Sequence, residues 1–121
     1  MDWIALLVIA ALVISFIFIK RSGQIGEEEA REHLKNGALV VDVRTPGEFS
    51  SGHLREAINL PLDGIESTLP RRVKDKDQVL LLHCQSGTRS GIAARKLNSI
   101  GYAKAFNIGS YGRAARLVSS K

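Results

Sequence analysis

The sequence predicts an α/β domain, a parallel sheet between two layers of helices, preceded by one transmembrane helix. Short apolar runs typical of buried strands alternate with segments of helical periodicity, and strands joined by helices form parallel sheets. An uncharged apolar run, 3–19, precedes all of these segments. At about 1.5 Å per residue such a run is roughly 26 Å long, near the shorter limit for crossing a bilayer.

Composition narrows the class of protein. The chain has 121 residues, of which 45% are apolar and 24% charged, and this excludes a disordered or fibrous protein. A single cysteine excludes an intramolecular disulfide and a cysteine-rich metal site. His33, His53 and His83 are not spaced as metal ligands. We therefore expect neither a metal nor an organic cofactor.

The apolar run predicts an anchor over residues 1–21, with 22–121 as the second domain. Asp2 precedes the run and Lys20-Arg21 follow it, and basic residues beside a span stay on the cytoplasmic side. We therefore expect a single-pass membrane protein whose domain lies in the cytoplasm. The alternative is an exported, periplasmic protein, although the acidic start is unlike a signal peptide. Ser22 to Gly26 reads as a linker.

The first half of the domain begins with a helix. Three glutamates at 27–29 suit a first helical turn, Ala30 and Leu34 give an apolar stripe, and Asn36-Gly37 ends the helix. The β-branched run 38–42 predicts a buried strand. A turn at 45–47 and a short strand over 57–60 follow, and Pro61 stops that strand.

The second half repeats the alternation. The run that ends at His83 is the strongest strand signal in the chain, because it is apolar without interruption. Pro70 and Gly101 are expected to end the two helices on either side of it. The predicted segments are a helix over 62–69, a strand over 78–83, a helix over 90–100, a strand over 105–108 and a helix over 111–118.

The candidate chemistry lies in one loop. Cys84 directly follows the strongest strand, and ligands of parallel sheets bind beyond the carboxyl ends of strands. Gly87 permits a tight loop whose backbone N–H groups point inward as an anion cradle. These groups, the following helix and Arg89 favour a thiolate. The sequence therefore predicts an accessible nucleophile at Cys84, rather than a cysteine buried as a small apolar residue.

Five ordered segments carry a family likeness: Asp42–Phe49, Gly52–Pro61, Cys84–Arg89, Leu97–Tyr102 and Asn107–Ser110. At this spacing they resemble rhodanese domains, over residues 24–118. The resemblance implies a three-layer fold with a five-stranded parallel sheet and a sulfurtransferase reaction at Cys84. In rhodaneses the thiolate takes sulfur from thiosulfate or another sulfane donor as a persulfide, and a thiol or cyanide accepts it.

Several further residues receive roles. The cradle assigned to substrate binding consists of Gln85, Ser86, Gly87, Thr88 and Arg89. Structural support is assigned to Asp42, Arg44, Glu48 and His53, as an ion-pair and hydrogen-bond network that joins the loops. The chain departs from the family at Gly109-Ser110, where a second glycine is common. This departure leaves the acceptor preference open.

Two alternatives stay open. The protein is either a sulfurtransferase enzyme or a membrane-tethered persulfide carrier that serves a membrane-associated protein acceptor. A phosphatase or arsenate reductase is less favoured, because those enzymes place arginine six positions after cysteine and Arg89 stands five after Cys84. Nucleic acid is not expected as a partner, since Asp75 and Asp77 interrupt the basic stretch and no aromatic residues accompany it.

Overall fold

Helices and strands alternate after residue 26, as the sequence predicts. A computed structural model describes residues 2–20 and 24–120, so part of the predicted linker lies outside the described residues. The helices are α1 (Trp3–Lys20), α2 (Glu27–Lys35), α3 (Pro46–Ser51), α4 (Ile65–Arg72), α5 (Thr88–Ser99) and α6 (Tyr111–Ser119). The strands are β1 (Leu39–Asp42), β2 (Ile58–Asn59), β3 (Leu80–His83) and β4 (Ala105–Gly109).

The sheet is parallel throughout, in the order β2-β1-β3-β4. The expectation of five strands is wrong for the described residues, where the sheet has four. Gln24 makes one isolated parallel bridge to Asn107 at the β4 edge, and the Ile25 N–H donates to the Asn107 carbonyl at 3.2 Å. Because the chain enters α2 two residues later, pairing at this edge is too short to form a strand.

Two apolar layers hold the helices on opposite faces of the sheet. Side chains alternate along each strand, so Val41 and Leu82 face one layer while Val40 and Leu81 face the other. The first layer is completed by Ile65, Leu69, Ala93, Ala94 and Leu97 from α4 and α5. The second is completed by Ala30, Leu34, Ala114 and Leu117 from α2 and α6. This confirms the predicted helix–sheet–helix arrangement.

Helix α1 differs from the others because its described side chains are exposed. Its large apolar residues, from Trp3 to Ile17, each leave between 46% and 67% of their surface exposed. The predicted transmembrane helix is not supported: within residues 2–20 and 24–120, no helix combines the length and the apolar content needed to cross a bilayer. Its 18 residues measure about 27 Å, less than a typical hydrocarbon core of about 30 Å.

Two predictions about local structure are wrong. The turn expected at 45–47 is the start of helix α3, which Thr45 caps by accepting the Glu48 N–H while the Glu48 carboxylate accepts the Thr45 N–H. Helix α4 does not end at Pro70 but continues to Arg72. A proline in a helix loses one backbone hydrogen bond, and buried Ile65 and Leu69 hold this helix on the sheet despite that loss.

The carboxyl ends of the strands bring the candidate site together. Asp42 at the end of β1 lies in register with His83 at the end of β3 and with Asn59 at the end of β2. An irregularity between Leu82 and His83 shifts the pairing with β4, so that His83 lies opposite Gly109. The segment after β3, which contains Cys84, therefore leaves the sheet between β1 and β4.

Candidate active site

Cys84 lies at the base of the loop that joins β3 to α5, and it is fully buried. Its N–H donates to the Gly109 carbonyl at 3.3 Å, which fixes the start of the loop against β4. The expectation of an accessible sulfur is therefore wrong in this conformation. The residues that follow, Gln85 and Ser86, are exposed and form the outer side of the loop.

Hydrogen-bond donors converge on the Cys84 sulfur. The Gly87 N–H donates to Sγ at 3.0 Å, and Ser90 Oγ lies 3.5 Å from the same atom. Burial acts to raise the pKa of the thiol, but the Ser90 hydroxyl and the backbone N–H groups of Ser90, Gly87 and Ser86 outweigh it and lower the pKa. The loop thus favours a thiolate despite its burial.

The backbone of this loop requires glycine at position 87. Gly87 has a φ of 97° and is the N-cap of α5, where its carbonyl accepts the Gly91 N–H at 3.2 Å. A Cβ added at Gly87 would lie 3.3 Å from the Gly109 Cα. The close approach of these two backbones directs the Gly87 N–H at the sulfur.

Arg89 is paired with Glu48 of α3. Two guanidinium nitrogens of Arg89 donate to the two carboxylate oxygens at 2.7 and 3.0 Å, and both side chains are about one-third exposed. The hydrogen bonds from Arg89 lower the pKa of Glu48 to about 2. The pair joins the first turn of α5 to α3, so the charge of Arg89 is balanced within the protein.

A second polar cluster lies after β1. The buried Asp42 carboxylate accepts from the Arg44 side chain at 2.7 and 3.0 Å and from the Arg44 N–H at 2.9 Å. Arg44 also donates to the Gly52 carbonyl at 2.8 Å, while the Asn59 side chain donates to the carbonyls of Asp42 and Arg44 at 3.0 and 2.9 Å. The structure therefore gives Asp42 and Arg44 partners within the scaffold.

His83 and Tyr111 lie between the Cys84 loop and the Asp42–Arg44 cluster. His83 is fully buried, and this burial lowers its pKa, so its ring is neutral. Its Nδ1 lies 3.3 Å from the Cys84 carbonyl, and its Nε2 is 3.8 Å from Asp42. The Tyr111 ring lies edge-on to His83 and under the Arg44 guanidinium, 4.7 Å from its centroid.

The remaining predicted site residues are His53, Gln85 and Thr88. His53 is exposed, stacks on Phe49 and contacts the Phe49 carbonyl through Nδ1 at 2.9 Å. Gln85 accepts the Tyr111 N–H at 3.3 Å through its backbone carbonyl. Thr88 is the first residue of α5 and is half-buried. The described residues contain no group of three or more His, Cys, Asp or Glu side chains that could hold a metal.

Three residues of the site were missed by sequence reasoning: Ser90, Asn107 and Tyr111. Ser90 and Asn107 are fully buried and joined by a hydrogen bond of 2.7 Å beneath the loop. One sequence signal could have indicated Asn107, since it is a polar residue within an otherwise apolar strand. Such a buried side chain needs hydrogen-bond partners.

A family model for the rhodanese-like domain matches residues 27–111. The chain belongs to the rhodanese-like domain family. The match includes α3, the Cys84 loop and the start of α6, so every residue of the candidate site described above lies within it. The parallel sheet flanked by helices, with cysteine after its third strand, is this family's fold in the present chain.

The sequence is also similar to individual proteins from several bacteria. The chain is 35% identical over 114 residues to the uncharacterized protein YqhL of Bacillus subtilis, covering 88% of this chain and 86% of that protein. It is 33% identical over 69 residues to the thiosulfate sulfurtransferase PspE of Escherichia coli, covering 57% of this chain and 66% of PspE. The relatives also include a tRNA uridine(34) hydroxylase of Hamiltonella defensa, 32% identical, of which the chain covers 24%.

Solved structures of similar proteins have the same fold as this chain. The human single-domain sulfurtransferase TSTD1 superposes with a TM-score of 0.65 at 26% identity, covering 78% of this chain and 96% of the human protein. An Escherichia coli rhodanese with bound anions superposes with a TM-score of 0.61 at 30% identity, covering 64% of this chain and 91% of that structure. Rhodanese-like proteins named as sulfurtransferases are thus among the relatives of this chain.

Proposed function

We propose that this protein is a sulfurtransferase that carries sulfane sulfur on Cys84. The thiolate attacks the outer sulfur of thiosulfate, the S–S bond of the donor breaks, and sulfite leaves with the electron pair. A thiol or cyanide then attacks the outer sulfur of the Cys84 persulfide, and Cys84 leaves as a thiolate. Gln85 to Arg89 form the loop that holds the donor.

One observation carries this proposal: the donors around the Cys84 sulfur are aimed at a single buried atom. The Gly87 N–H and the Ser90 hydroxyl reach Sγ itself, at 3.0 and 3.5 Å, and they lower the pKa of the thiol. A thiolate stabilised in this way is both a nucleophile and a leaving group. Persulfide exchange needs both properties in one residue.

Intact mass measurement of the full chain tests the proposal. After incubation with thiosulfate we expect a gain of one sulfur atom on the wild type and none on Cys84→Ser. Cyanide should then remove the sulfur as thiocyanate. If neither thiosulfate nor polysulfide adds sulfur to the folded wild type, the proposal is wrong.

The burial of Cys84 favours a second candidate, a persulfide carrier for one protein acceptor. Because the sulfur has no exposed surface, a donor reaches it only when the loop moves. A protein that binds the exposed residues Gln85 and Ser86 would supply binding energy to open the loop, and a molecule as small as cyanide supplies much less. Slow thiocyanate turnover, with rapid transfer to one purified acceptor protein, would distinguish the carrier from the enzyme.

We also propose that α1 holds the protein at a lipid bilayer, with the domain on the cytoplasmic side. The support is the exposure of apolar side chains along α1, since a surface of this kind requires apolar surroundings. Flotation of the full chain with liposomes should be lost in Val8→Lys/Val13→Lys. A reporter fused after Lys121 that is active only outside the cytoplasm would contradict the orientation.

A further inference from the structure

The Ser90 hydroxyl lies between two hydrogen-bond acceptors beneath the loop. Its Oγ is 2.7 Å from Asn107 Oδ1 and 3.5 Å from Cys84 Sγ. A hydroxyl carries one hydrogen, so it donates to one of these atoms at a time. All three residues are fully buried, so the protein interior determines the direction of this O–H.

Asn107 can lose the Ser90 hydroxyl without being left unsatisfied. Its Oδ1 also accepts the Gly109 N–H at 2.8 Å, and its Nδ2 donates to the Gly87 carbonyl at 3.1 Å. These two bonds fix the amide plane, because they require oxygen on one side and nitrogen on the other. Ser90 can therefore turn toward the sulfur while Asn107 keeps its position.

We propose that Ser90 is a movable hydrogen-bond donor that turns its O–H from Asn107 to Cys84 whenever Sγ is an anion. Asn107 is the positioning residue that accepts this O–H again once Sγ is bonded to the transferred sulfur. In the persulfide the charge lies on the outer sulfur, about 2 Å from Sγ. The donor is then needed less at Sγ, and Asn107 offers the shorter contact. This inference rests on the proposed sulfur transfer.

The two half-reactions should depend on Ser90 in different ways. In uptake, Sγ attacks as a thiolate, so the rate below the pKa of Cys84 follows the thiolate fraction. In transfer, the acceptor attacks the outer sulfur, the S–S bond breaks, and its electron pair goes to Sγ. Ser90 stabilises the anion that leaves in this step at every pH.

The other charged and titratable groups near the sulfur do not produce the same pH dependence of sulfur uptake and transfer. Arg89 of α5 is held by Glu48 of α3, whose pKa is about 2. Burial lowers the pKa of His83 of β3, so its ring carries no charge in the alkaline range of the test. Asp42 of β1 is paired with Arg44.

The test compares the full-length wild type with Ser90→Ala, with Ser90→Thr, which retains a hydroxyl, and with Ser99→Ala at the far end of α5. Sulfur uptake from thiosulfate and sulfur release to cyanide are timed separately by intact mass between pH 7 and 10. The rate of each variant is divided by that of the wild type at the same pH, which removes the ionisation of cyanide from the comparison.

For Ser90→Ala we expect uptake to be about tenfold slower at pH 7 and to recover toward the wild-type rate at pH 10. Release should stay about tenfold slower at every pH. Ser90→Thr should restore part of both rates, and Ser99→Ala should change neither. Recovery of release at high pH, or an unchanged release rate in Ser90→Ala, would overturn the proposal.

The role of Asn107 is tested by a double-mutant cycle. If Asn107 acts through Ser90, Asn107→Ala should lose most of its effect on release in a Ser90→Ala background. Additive effects would show that Asn107 has only a structural role.

A failure of sulfur transfer itself would be recognised separately. If the wild type takes up no sulfur, the proposed function is wrong, and the Ser90 inference is judged by the pH dependence of Cys84 alkylation with iodoacetamide. A higher Cys84 pKa in Ser90→Ala then supports Ser90 as the donor, and an unchanged pKa overturns it.

Discussion

Two regions at the same edge of the sheet use polar groups in opposite ways. After β1, the Asp42 carboxylate and the Arg44 guanidinium bind each other, and Asn59 closes the turn around them. After β3, the Gly87 N–H donates to one sulfur atom, and the Ser90 hydroxyl lies within reach of the same atom. In the first region the polar groups bond one another, whereas in the second the donors surround the sulfur of the candidate nucleophile.

This difference distinguishes residues that stabilise the fold from the residue that is proposed to react. Burial and charge distinguish them less clearly. Asp42 and Cys84 are both fully buried, and both lie in or directly after a strand. A buried ion pair that loses one member leaves an uncompensated charge, so its removal should act on stability. Removal of the Cys84 sulfur leaves no unpaired charge, so it should act on activity more than on stability.

The largest effect should come from Cys84→Ala. Sulfur uptake, measured by intact mass after thiosulfate, should fall more than about a thousandfold, because no other side chain of this chain is a thiol. The circular dichroism spectrum should stay that of the wild type. Uptake of sulfur by the variant would remove Cys84 from the proposed reaction.

Asp42→Asn should produce the largest loss of stability. The Arg44 guanidinium would remain buried without a carboxylate, and breaking a buried pair costs about 3–5 kcal/mol. Urea denaturation should show this decrease in the free energy of unfolding. Asp42→Asn/Arg44→Met, which removes both charges, should recover part of it; a double variant no more stable than Asp42→Asn would contradict the pairing.

Asn59→Ala should have a smaller effect of the same kind. Its amide donates to two backbone carbonyls, of which the Asp42 carbonyl keeps the Leu60 N–H as a donor while the Arg44 carbonyl loses the Asn59 donor, and we expect a loss of about 1–2 kcal/mol in urea denaturation. Alkylation of Cys84 at pH 7 should proceed at the wild-type rate. A large change in that rate would show that the two regions are coupled.

Glu48→Gln should have the smallest effect, and one that depends on pH. The carboxylate has an ordinary pKa of 4.5 and a pKa of about 2 in the folded protein, so its stabilisation is present above pH 4.5 and is lost as the pH falls toward 2. The pair is partly exposed, so at pH 6 the melting temperature should fall by a few degrees at most. The two proteins should converge near pH 2; a constant difference would contradict this assignment.

Residue patterns predicted most of the domain but missed features that depend on a few contacts. The strands β1 and β3 follow from their uninterrupted apolar runs, because both of their faces are buried, and the helices α2 and α5 follow from helical periodicity, because each buries one apolar face. Helix α3 has no apolar stripe, and it is held by the Thr45–Glu48 capping box. That four-residue pattern is visible in the sequence and would have placed Glu48 on a helix.

The candidate site was predicted in outline only. The position of Cys84 after a strand and the glycine in the loop are local features that the sequence displays. The loop that holds its sulfur packs Gly87 against Gly109, and these two residues are 22 positions apart. The pairing of Arg89 with Glu48 likewise joins residues 41 positions apart. No local pattern records such contacts.

The bridge at Gln24 ties the segment that leads into α2 to strand β4, beside the Cys84 loop. Gln24 is bridged to Asn107, the Ile25 N–H bonds the Asn107 carbonyl, and the Arg113 side chain bonds the Ile25 carbonyl at 2.7 Å. The Asn107 side chain also bonds Ser90 beneath the Cys84 loop, so one residue holds both the entrance to the domain and the floor of the candidate site.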